Sequence, residues 1–332
     1  MNFSDWKKNK IQYSDFSDGF VYRETINNKC LPVVFKAKST SLDLGEWYVA
    51  NKSAVDEQLE LYGACLFRGF NLNNMADFQK TAGRFLSKPA KYIQGATPRS
   101  ELTANIYTST EFPQDQEISL HNELSYVSNP PEKIIFCCLT AANSGGQTQI
   151  ADMSVIHSKL DKNILDAFDR LGGWMLRRSY REGFGPSIFK SFNSENIEEV
   201  MDFANRENIR VSWVGDHYRT EQVNPVTKIH PKSNLPVWFN HALFWHSASL
   251  CPKVKERMLE VCDEETLPYN TFYGDGSQIS EATIHQIRSI YKQEEVVFDW
   301  QEGDFMLLDN LRVAHGRKPF TGARTVLVSM GA

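Results

Sequence analysis

The sequence predicts a mixed α/β, mainly β protein of the sandwich or jelly-roll class with flanking helices. From about residue 119 onward, short apolar runs bounded by turn residues recur far apart along the chain, which is typical of such folds. The first ninety residues instead combine helical and strand patterns. With 332 residues, 41% of them apolar, the chain can bury a large core.

Residues 1–90 are assigned to an α/β portion packed on the jelly roll. Helical periodicity predicts helices at 53–62 and 75–85, and an apolar run between glycines predicts a strand at Ala64–Phe67. No internal repeat or long Pro/Gly/Ser linker divides the sequence, so residues 1–332 are expected to form a single domain.

The predicted core strands share an apolar, turn-bounded pattern and lie at 119–126, 133–140, 148–152, 174–180, 237–239, 296–300, 304–308 and 325–330. Helical spacing predicts further helices at 160–171, 194–208, 253–262 and 284–291, the last capped by Ser280. The segment 185–290 is therefore interpreted as a helical insertion between core strands.

Charge and hydropathy restrict the partners. The net charge of −5 provides no basic field for nucleic acid or anionic lipid. Neither a signal-peptide pattern nor an apolar run of roughly 18 residues is found, so we expect a cytoplasmic protein with no membrane partner. No phosphate-binding loop or serine nucleophile motif is present.

Two histidines and a glutamate are candidate metal ligands. On a strand at 119–126, His121 and Glu123 would project from the same face. Together with His315 they form a set of two imidazoles and one carboxylate, which leaves coordination positions open and is typical of non-haem Fe(II) oxygenases. The motif alone is weak, because a chain with 8 histidines and 41 acidic residues contains about one such spacing by chance.

Residues near the ligand candidates could bind an anion. Thr148 follows a Gly-Gly turn, and Arg324 precedes the last strand. A hydroxyl and a guanidinium fork could hold one carboxylate of a dicarboxylic acid whose other end chelates the metal. Arg317 is the rival of Arg324; Arg324 is preferred because the turn at 319–322 folds the last strand back beside His315.

These candidates lie in segments that share a family likeness: HNELSY at 121–126, ANSGGQTQIAD at 142–152, YGDG at 273–276 and DNLRVAHGRKPFTGAR at 309–324. From residue 61 to the C-terminus the chain resembles the taurine dioxygenase-like (TauD/TfdA) Fe(II)/2-oxoglutarate-dependent oxygenases, particularly the SyrP-like branch. The resemblance implies a double-stranded β-helix, or jelly roll, with iron bound at one mouth by the catalytic residues His121, Glu123 and His315. It also implies that Thr148 and Arg324 bind 2-oxoglutarate, with O₂ as the second co-substrate.

The resemblance further implies an activity. We expect oxidation, most simply hydroxylation, of an amino acid or amino-acid derivative in a specialised pathway such as antibiotic biosynthesis, with release of succinate and CO₂. The substrate could be free or tethered to a carrier protein, and a homo-oligomer is compatible with the sequence. Glu123 replaces the aspartate of taurine dioxygenase, which weakens taurine as a substrate. The alternatives are a catabolic oxygenase of a small sulfonate or similar acid, and a non-catalytic jelly-roll binding protein.

Four residues are predicted to contact the substrate. Asn122 lies between two ligand candidates, and Phe184 follows Gly183 in a position that resembles the family's substrate-covering loop. Phe239 and Asn240 lie on a strand where the family places substrate contacts.

Two other groups of residues are given structural interpretations. His241 and His246 do not share a face on a strand or a helix, so they are interpreted as parts of an aromatic cluster and not as a second metal pair. The basic run RRSYR at 177–181 is interpreted as a solvated sheet edge, since strand alternation divides its charges between two faces.

Overall fold

The structure is a computed structural model and describes residues 19–26, 29–90, 101–103, 106–108, 112–183 and 185–332. The strands in these ranges are β1 Val21–Ile26, β2 Lys29–Ala37, β3 Ala64–Arg68, β4 Glu101–Thr103, β5 Ile106–Thr108, β6 Ile118–His121, β7 Lys133–Thr140, β8 Ser144–Gly145, β9 Thr148–Asp152, β10 Trp174–Tyr180, β11 Ile209–Val214, β12 His217–Asn224, β13 Thr227–Ile229, β14 Pro236–Trp238, β15 Tyr269–Tyr273, β16 Val296–Phe298, β17 Phe305–Asp309, β18 Val313–Arg317, β19 Phe320–Thr321 and β20 Thr325–Gly331. The α-helices are α1 Leu44–Tyr62, α2 Met75–Phe85, α3 Met153–Lys159, α4 Lys162–Arg170, α5 Ile188–Phe192, α6 Ile197–Arg206, α7 Pro252–Leu259 and α8 Glu281–Glu294.

Two sheets form the jelly roll. The larger has the strand order β1-β2-β3-β17-β7-β20-β5-β4, and the smaller has the order β16-β9-β18-β6. One hydrophobic cluster joins Ile134 and Met306 of the larger sheet to Ile150 and Ala314 of the smaller. The mixed α/β, mainly β fold with a jelly-roll core is thus confirmed, and the smaller sheet carries both histidine ligand candidates.

The other face of the larger sheet packs against the N-terminal helices. Ile135 and Leu307 belong to a second cluster with Leu59 of α1 and Phe78 of α2. Because successive strand residues point to opposite faces, β7 and β17 are buried on both sides. These strands therefore read as continuous apolar runs.

A buried ion pair connects the smaller sheet to α1. Arg312 is completely buried, donates from Nε and Nη2 to Asp152 at 3.1 and 2.8 Å, and donates from Nη1 to the Glu60 carbonyl at 2.7 Å. A buried charge needs such partners. The three bonds fix the segment that leads into His315.

Several predicted element bounds are wrong. Helix α1 begins nine residues before the predicted start, where Asp43 accepts the Glu46 N–H, and ends at Gly63 with a φ of +80°. The helix predicted at 160–171 is α4, which begins at Lys162 because the Asp161 side chain caps it, and the preceding helix α3 was not predicted. The helical interpretation of 185–290 is incomplete, because this segment also contains β11 to β15.

The interpretation of the RRSYR run as a solvated edge is also wrong. β10 lies inside a third sheet of order β11-β12-β10-β15, so neighbouring strands cover both of its edges. Arg177 and Arg178 are 9% and 5% exposed.

Within the described residues, no helix is long and apolar enough to cross a membrane.

Candidate active site

The two histidine candidates lie on neighbouring strands of the smaller sheet. His315 of β18 is directly opposite His121 of β6 in the antiparallel register, and their ring centroids are 4.6 Å apart. Directly opposed residues share a face. Glu123 joins them from the turn after β6, with its Oε2 3.8 Å from Nε2 of His315. One ligand atom from each residue lies within 4.8 Å of the other two.

Glu123 reaches this position by a route that the sequence analysis did not predict. The strand expected at 119–126 ends at His121, and Leu124 has a φ of +53°. Thus the prediction that His121 and Glu123 are close because they share one face of a strand is wrong. The turn is held by Asn310, whose Oδ1 accepts the Glu123 N–H at 2.8 Å and whose Nδ2 donates to the Glu123 carbonyl at 3.0 Å.

Asn310 was missed in the sequence analysis. It is completely buried, and its contact with Glu123 spans 187 residues of chain. Spacing rules apply only within one element, so they give no signal for this contact. The position of Asn310 inside the 309–324 segment was the only available indication.

The donor set suits a divalent transition metal. The Nδ1 of His121 lies 2.9 Å from the Ser119 carbonyl, which fixes the ring and leaves Nε2 to act as a ligand. His121, Glu123 and His315 are 9%, 4% and 5% exposed, so they are shielded from bulk water. Two imidazoles and one carboxylate from one side fit Fe(II) and leave coordination positions for other molecules.

Thr148 faces the same interior as the histidines. On β9 it lies two residues from Ile150, which is paired with His315. Its Oγ1 accepts the indole N–H of Trp300 at 2.9 Å, so its hydroxyl hydrogen is left for donation to another group. Trp300 is a second residue that the sequence analysis missed.

Arg324 is fixed at the start of β20 by the Gly145-Gly146 turn. Its Nε donates to the Gly146 carbonyl at 3.1 Å, and its guanidinium lies over the Phe320 ring at 5.6 Å. Burial, followed by the charge of nearby Arg317, lowers the pKa of Arg324 to about 10. The group is still cationic at neutral pH, and a bound anion would be favoured there.

Arg317 lies beside Arg324 but has different partners. Its guanidinium donates to the carbonyls of Phe112, Pro113 and Gln116 at 3.1, 2.6 and 2.8 Å. A register shift in β18 separates it from the face of His315. This arrangement favours Arg324 over Arg317 as the anion-binding residue.

An aromatic layer surrounds the ligand cluster. Phe244 and His241 lie 4.7 and 5.6 Å from the His121 ring, and Phe136 lies 5.0 Å from the His315 ring. The Nδ1 of His241 is 2.5 Å from the Ser125 hydroxyl. Burial, followed by the proximity of His121, holds the pKa of His241 well below its usual 6.5. The layer is therefore uncharged at neutral pH and excludes water.

The predicted substrate residues differ from the ligand cluster in their surroundings. Asn122 is completely buried and donates to the Asn310 carbonyl at 2.6 Å. Phe239 is buried in the core, and Asn240 donates to the Val226 carbonyl at 3.0 Å. Their side chains pack and hydrogen-bond within the protein, and a substrate role for them stays a prediction. Phe184 lies outside the described residues.

His246 is not part of the described ligand cluster either. Its Nε2 lies 3.1 Å from the Ile279 carbonyl, and its Nδ1 accepts the Ala248 N–H at 3.1 Å. Both ring nitrogens are thus used in local hydrogen bonds.

Comparison with known proteins agrees with the fold. The profile of the taurine catabolism dioxygenase TauD, TfdA family matches residues 27–330. Dapdiamide synthesis protein DdaC of Enterobacter agglomerans is 35% identical over 277 residues, which cover 83% of this chain and 84% of that protein. A clavaminate synthase-like protein of Arabidopsis thaliana is 28% identical over 289 residues, with 84% of each chain covered.

A solved structure shares the fold. PvcB of Pseudomonas aeruginosa, an Fe, alpha-ketoglutarate dependent oxygenase from an isonitrile synthetic pathway, has a TM-score of 0.51 and 15% identity. The match covers 90% of this chain and 84% of PvcB. From the family profile and the DdaC match, this chain belongs to the taurine catabolism dioxygenase TauD, TfdA family and is a dioxygenase.

Proposed function

We propose that this protein is an Fe(II)- and 2-oxoglutarate-dependent dioxygenase that hydroxylates an amino acid or amino-acid derivative in a biosynthetic pathway. The observation that carries the proposal is the buried cluster of His121, Glu123 and His315, whose ligand atoms lie within 4.8 Å of one another in a dioxygenase fold. Two imidazoles and a carboxylate that converge in a buried position match the ligand set of a metal centre.

Each site residue has a role in this proposal. His121, Glu123 and His315 hold the iron, while Thr148 and Arg324 hold the distal carboxylate of 2-oxoglutarate. The iron, when bound, supplies oxidation of the substrate by O₂ coupled to decarboxylation of 2-oxoglutarate to succinate and CO₂. The chain orients the ligands, through Ser119 and Asn310, and excludes water with the rings of the aromatic layer.

The kinship with biosynthetic proteins supports the substrate class. DdaC is a dapdiamide synthesis protein, and PvcB belongs to an isonitrile synthetic pathway. Both names describe construction of a small molecule. We therefore propose an amino-acid-derived substrate, either free or bound to a carrier protein.

The experiment combines metal binding with turnover. Anaerobic titration with Fe(II) and 2-oxoglutarate should give the visible absorption band of their chelate, and aerobic screening of free and carrier-bound amino acids should identify substrates by coupled succinate formation. His121→Ala and Glu123→Ala should lose the band while keeping a native circular-dichroism spectrum, because a catalytic metal contributes little to folding.

His285 provides a matched control. It is exposed on α8, so His285→Ala should keep the band and the turnover. A wild-type protein that forms no chelate, or a His121→Ala variant that retains full metal binding and activity, would overturn the proposal.

A further inference from the structure

The indole of Trp300 and the hydroxyl of Thr148 form a buried hydrogen bond. The Nε1–H of Trp300 donates to Oγ1 of Thr148 at 2.9 Å, and the two residues are 8% and 4% exposed. An indole N–H can only donate, so the Thr148 oxygen is the acceptor and its own hydrogen points away from Trp300. Trp300 therefore restricts the directions in which Thr148 can donate.

Strand pairing places Trp300 beside Thr148. Phe298, the last residue of β16, is directly opposite Thr148 of β9, and Trp300 follows two residues later. The Trp300 ring packs edge-to-face on the Phe298 ring, with 5.0 Å between the centroids. Both rings belong to the hydrophobic cluster inside the jelly roll. Packing as well as the hydrogen bond therefore fixes the indole.

A buried ion pair holds the turn that contains Trp300. Arg68 of β3 donates from Nε and Nη2 to Asp304 at 2.9 and 2.7 Å, and from Nη2 to the Asp299 carbonyl at 3.0 Å. Asp304 is completely buried and also accepts the Gln301 N–H at 2.8 Å. Breaking a buried pair leaves an uncompensated charge, which is costly. The backbone on both sides of Trp300 is therefore held in place.

The backbone just before Thr148 connects it to Arg324. The Gly146 carbonyl, two residues earlier, accepts the Nε–H of Arg324 at 3.1 Å. Trp300 holds the Thr148 side chain itself. The guanidinium of Arg324 and the oriented hydroxyl of Thr148 are thus fixed relative to each other by one short segment.

We propose that Trp300 is a positioning residue for 2-oxoglutarate and acts through Thr148. This inference rests on the proposed function, in which Thr148 and Arg324 bind the distal carboxylate. By accepting from Trp300, the Thr148 oxygen keeps its hydrogen for that carboxylate, which can only accept when it is ionised. The hydroxyl is oriented before the co-substrate binds, so less side-chain freedom is lost on binding. The hydrogen bond therefore favours 2-oxo acids that carry a second carboxylate.

The test compares two chelators that differ at the distal end. The compounds 2-oxoglutarate and 2-oxopentanoate have the same carbon chain, but 2-oxopentanoate ends in a methyl group. Each is titrated anaerobically into the protein loaded with Fe(II), and the chelate absorption band gives its Kd. Trp300→Phe should weaken 2-oxoglutarate binding by about 2- to 10-fold, the range of one neutral hydrogen bond, and leave 2-oxopentanoate binding unchanged.

A second variant shows whether the effect passes through Thr148. Thr148→Val removes the hydroxyl with little change in shape and should itself weaken 2-oxoglutarate binding. In that background Trp300→Phe should cause no further loss, because the group that it orients is already absent. Independent contributions of the two residues would instead add.

Trp174 provides a matched control for the loss of an indole. It is completely buried, and its Nε1 has no hydrogen-bond partner among the described residues. Trp174→Phe should lower the Tm, because a core ring becomes smaller. The ratio of the two chelator affinities should stay at the wild-type value.

The wild type provides a further measurement if Trp300→Phe does not fold. Zn(II) replaces Fe(II) as a diamagnetic metal, and the indole N–H signals of the 7 tryptophans are recorded by NMR spectroscopy. The signal that Thr148→Val displaces most is assigned to Trp300. In the wild type, 2-oxoglutarate should shift this signal more than 2-oxopentanoate does, because only 2-oxoglutarate accepts the Thr148 hydrogen.

The outcomes separate this inference from the proposed function. Absence of the chelate band in the wild type would overturn the proposed function. A normal band with the same ratio of chelator affinities in Trp300→Phe and the wild type would overturn only the role of Trp300. The same conclusion would follow from a full further loss in the double variant, an equal loss in Trp174→Phe, or equal NMR shifts with the two chelators.

Discussion

At the scale of single residues, Asn310 determines where Glu123 lies. Besides its two bonds to Glu123, its Nδ2 donates to the Pro131 carbonyl at 2.8 Å. We expect Asn310→Ala to weaken Fe(II) binding by roughly 10- to 100-fold, because the hydrogen bonds that orient a ligand are lost. Anaerobic metal titration measures the change.

The control for this prediction is another buried asparagine. Asn270 accepts the N–H groups of Ser247 and Thr271 at 3.1 and 2.9 Å and lies outside the ligand cluster. Asn270→Ala should lower the Tm without changing metal affinity. Equal losses of metal affinity in the two variants would show that Asn310 acts through general stability alone.

Arg324 and Arg317 are neighbours with separable roles. Arg324→Met should raise the 2-oxoglutarate concentration for half-maximal succinate formation, because a charge-assisted pair worth roughly 1.5–3 kcal/mol is lost. Arg317→Met should instead lower the Tm, since three carbonyls lose their donor. A larger 2-oxoglutarate effect in Arg317→Met than in Arg324→Met would transfer the anchoring role to Arg317.

At the scale of elements, the short β8–β19 ladder positions Arg324. Gly145 pairs with Phe320, and Gly146 has a φ of +71°. A Cβ at Gly146 would lie 3.1 Å from Cδ of Arg324. Gly146→Ala should therefore both strain the turn and displace the guanidinium.

We expect Gly146→Ala to lower the Tm and to raise the 2-oxoglutarate requirement. Gly83 is the control, because a Cβ there meets nothing within 4 Å and the residue lies inside α2. Gly83→Ala should raise stability by up to about 1 kcal/mol through helix propensity, with no change in the 2-oxoglutarate requirement. An unchanged requirement in Gly146→Ala would contradict the positioning role of the turn.

Element types were easier to predict from the sequence than element ends. The buried strands β7 and β20 appear in the sequence as apolar runs close to their observed bounds. The end of β6 could not be predicted, because it depends on Leu124 entering the left-handed region and on Asn310 holding the turn. A tertiary contact there outweighs the local strand pattern.

At the scale of the whole molecule, the fold assembles distant segments. His121 and Thr148 come from the middle of the chain, while His315 and Arg324 come from its last strands, and the smaller sheet with the adjoining turn unites them. The sequence could suggest this set by family likeness. It could not show that Arg177 and Arg178 are buried, because strand alternation reveals which face a charge occupies and not whether that face is buried.

Buried histidines make the stability of the whole fold depend on pH. Burial lowers the pKa of both His246 and His157 from the usual 6.5. Above that value neither the folded nor the unfolded chain is protonated at these sites. Below pH 6.5 the unfolded chain takes up protons before the folded chain does. The free energy of unfolding should therefore fall as the pH decreases, by at most about 1.4 kcal/mol per pH unit for each of the two histidines.

Urea denaturation between about pH 5 and 7 checks this prediction, a range above the usual pKa of carboxyl groups. The His246 ring accepts the Ala248 N–H and is influenced by nearby Glu264, Lys255 and Glu281. A proton on Nδ1 would displace the Ala248 hydrogen bond. His246→Gln should therefore give a shallower pH dependence than the wild type, whereas His285→Gln at an exposed site should not. Identical slopes for the wild type and His246→Gln would exclude His246 as a contributor.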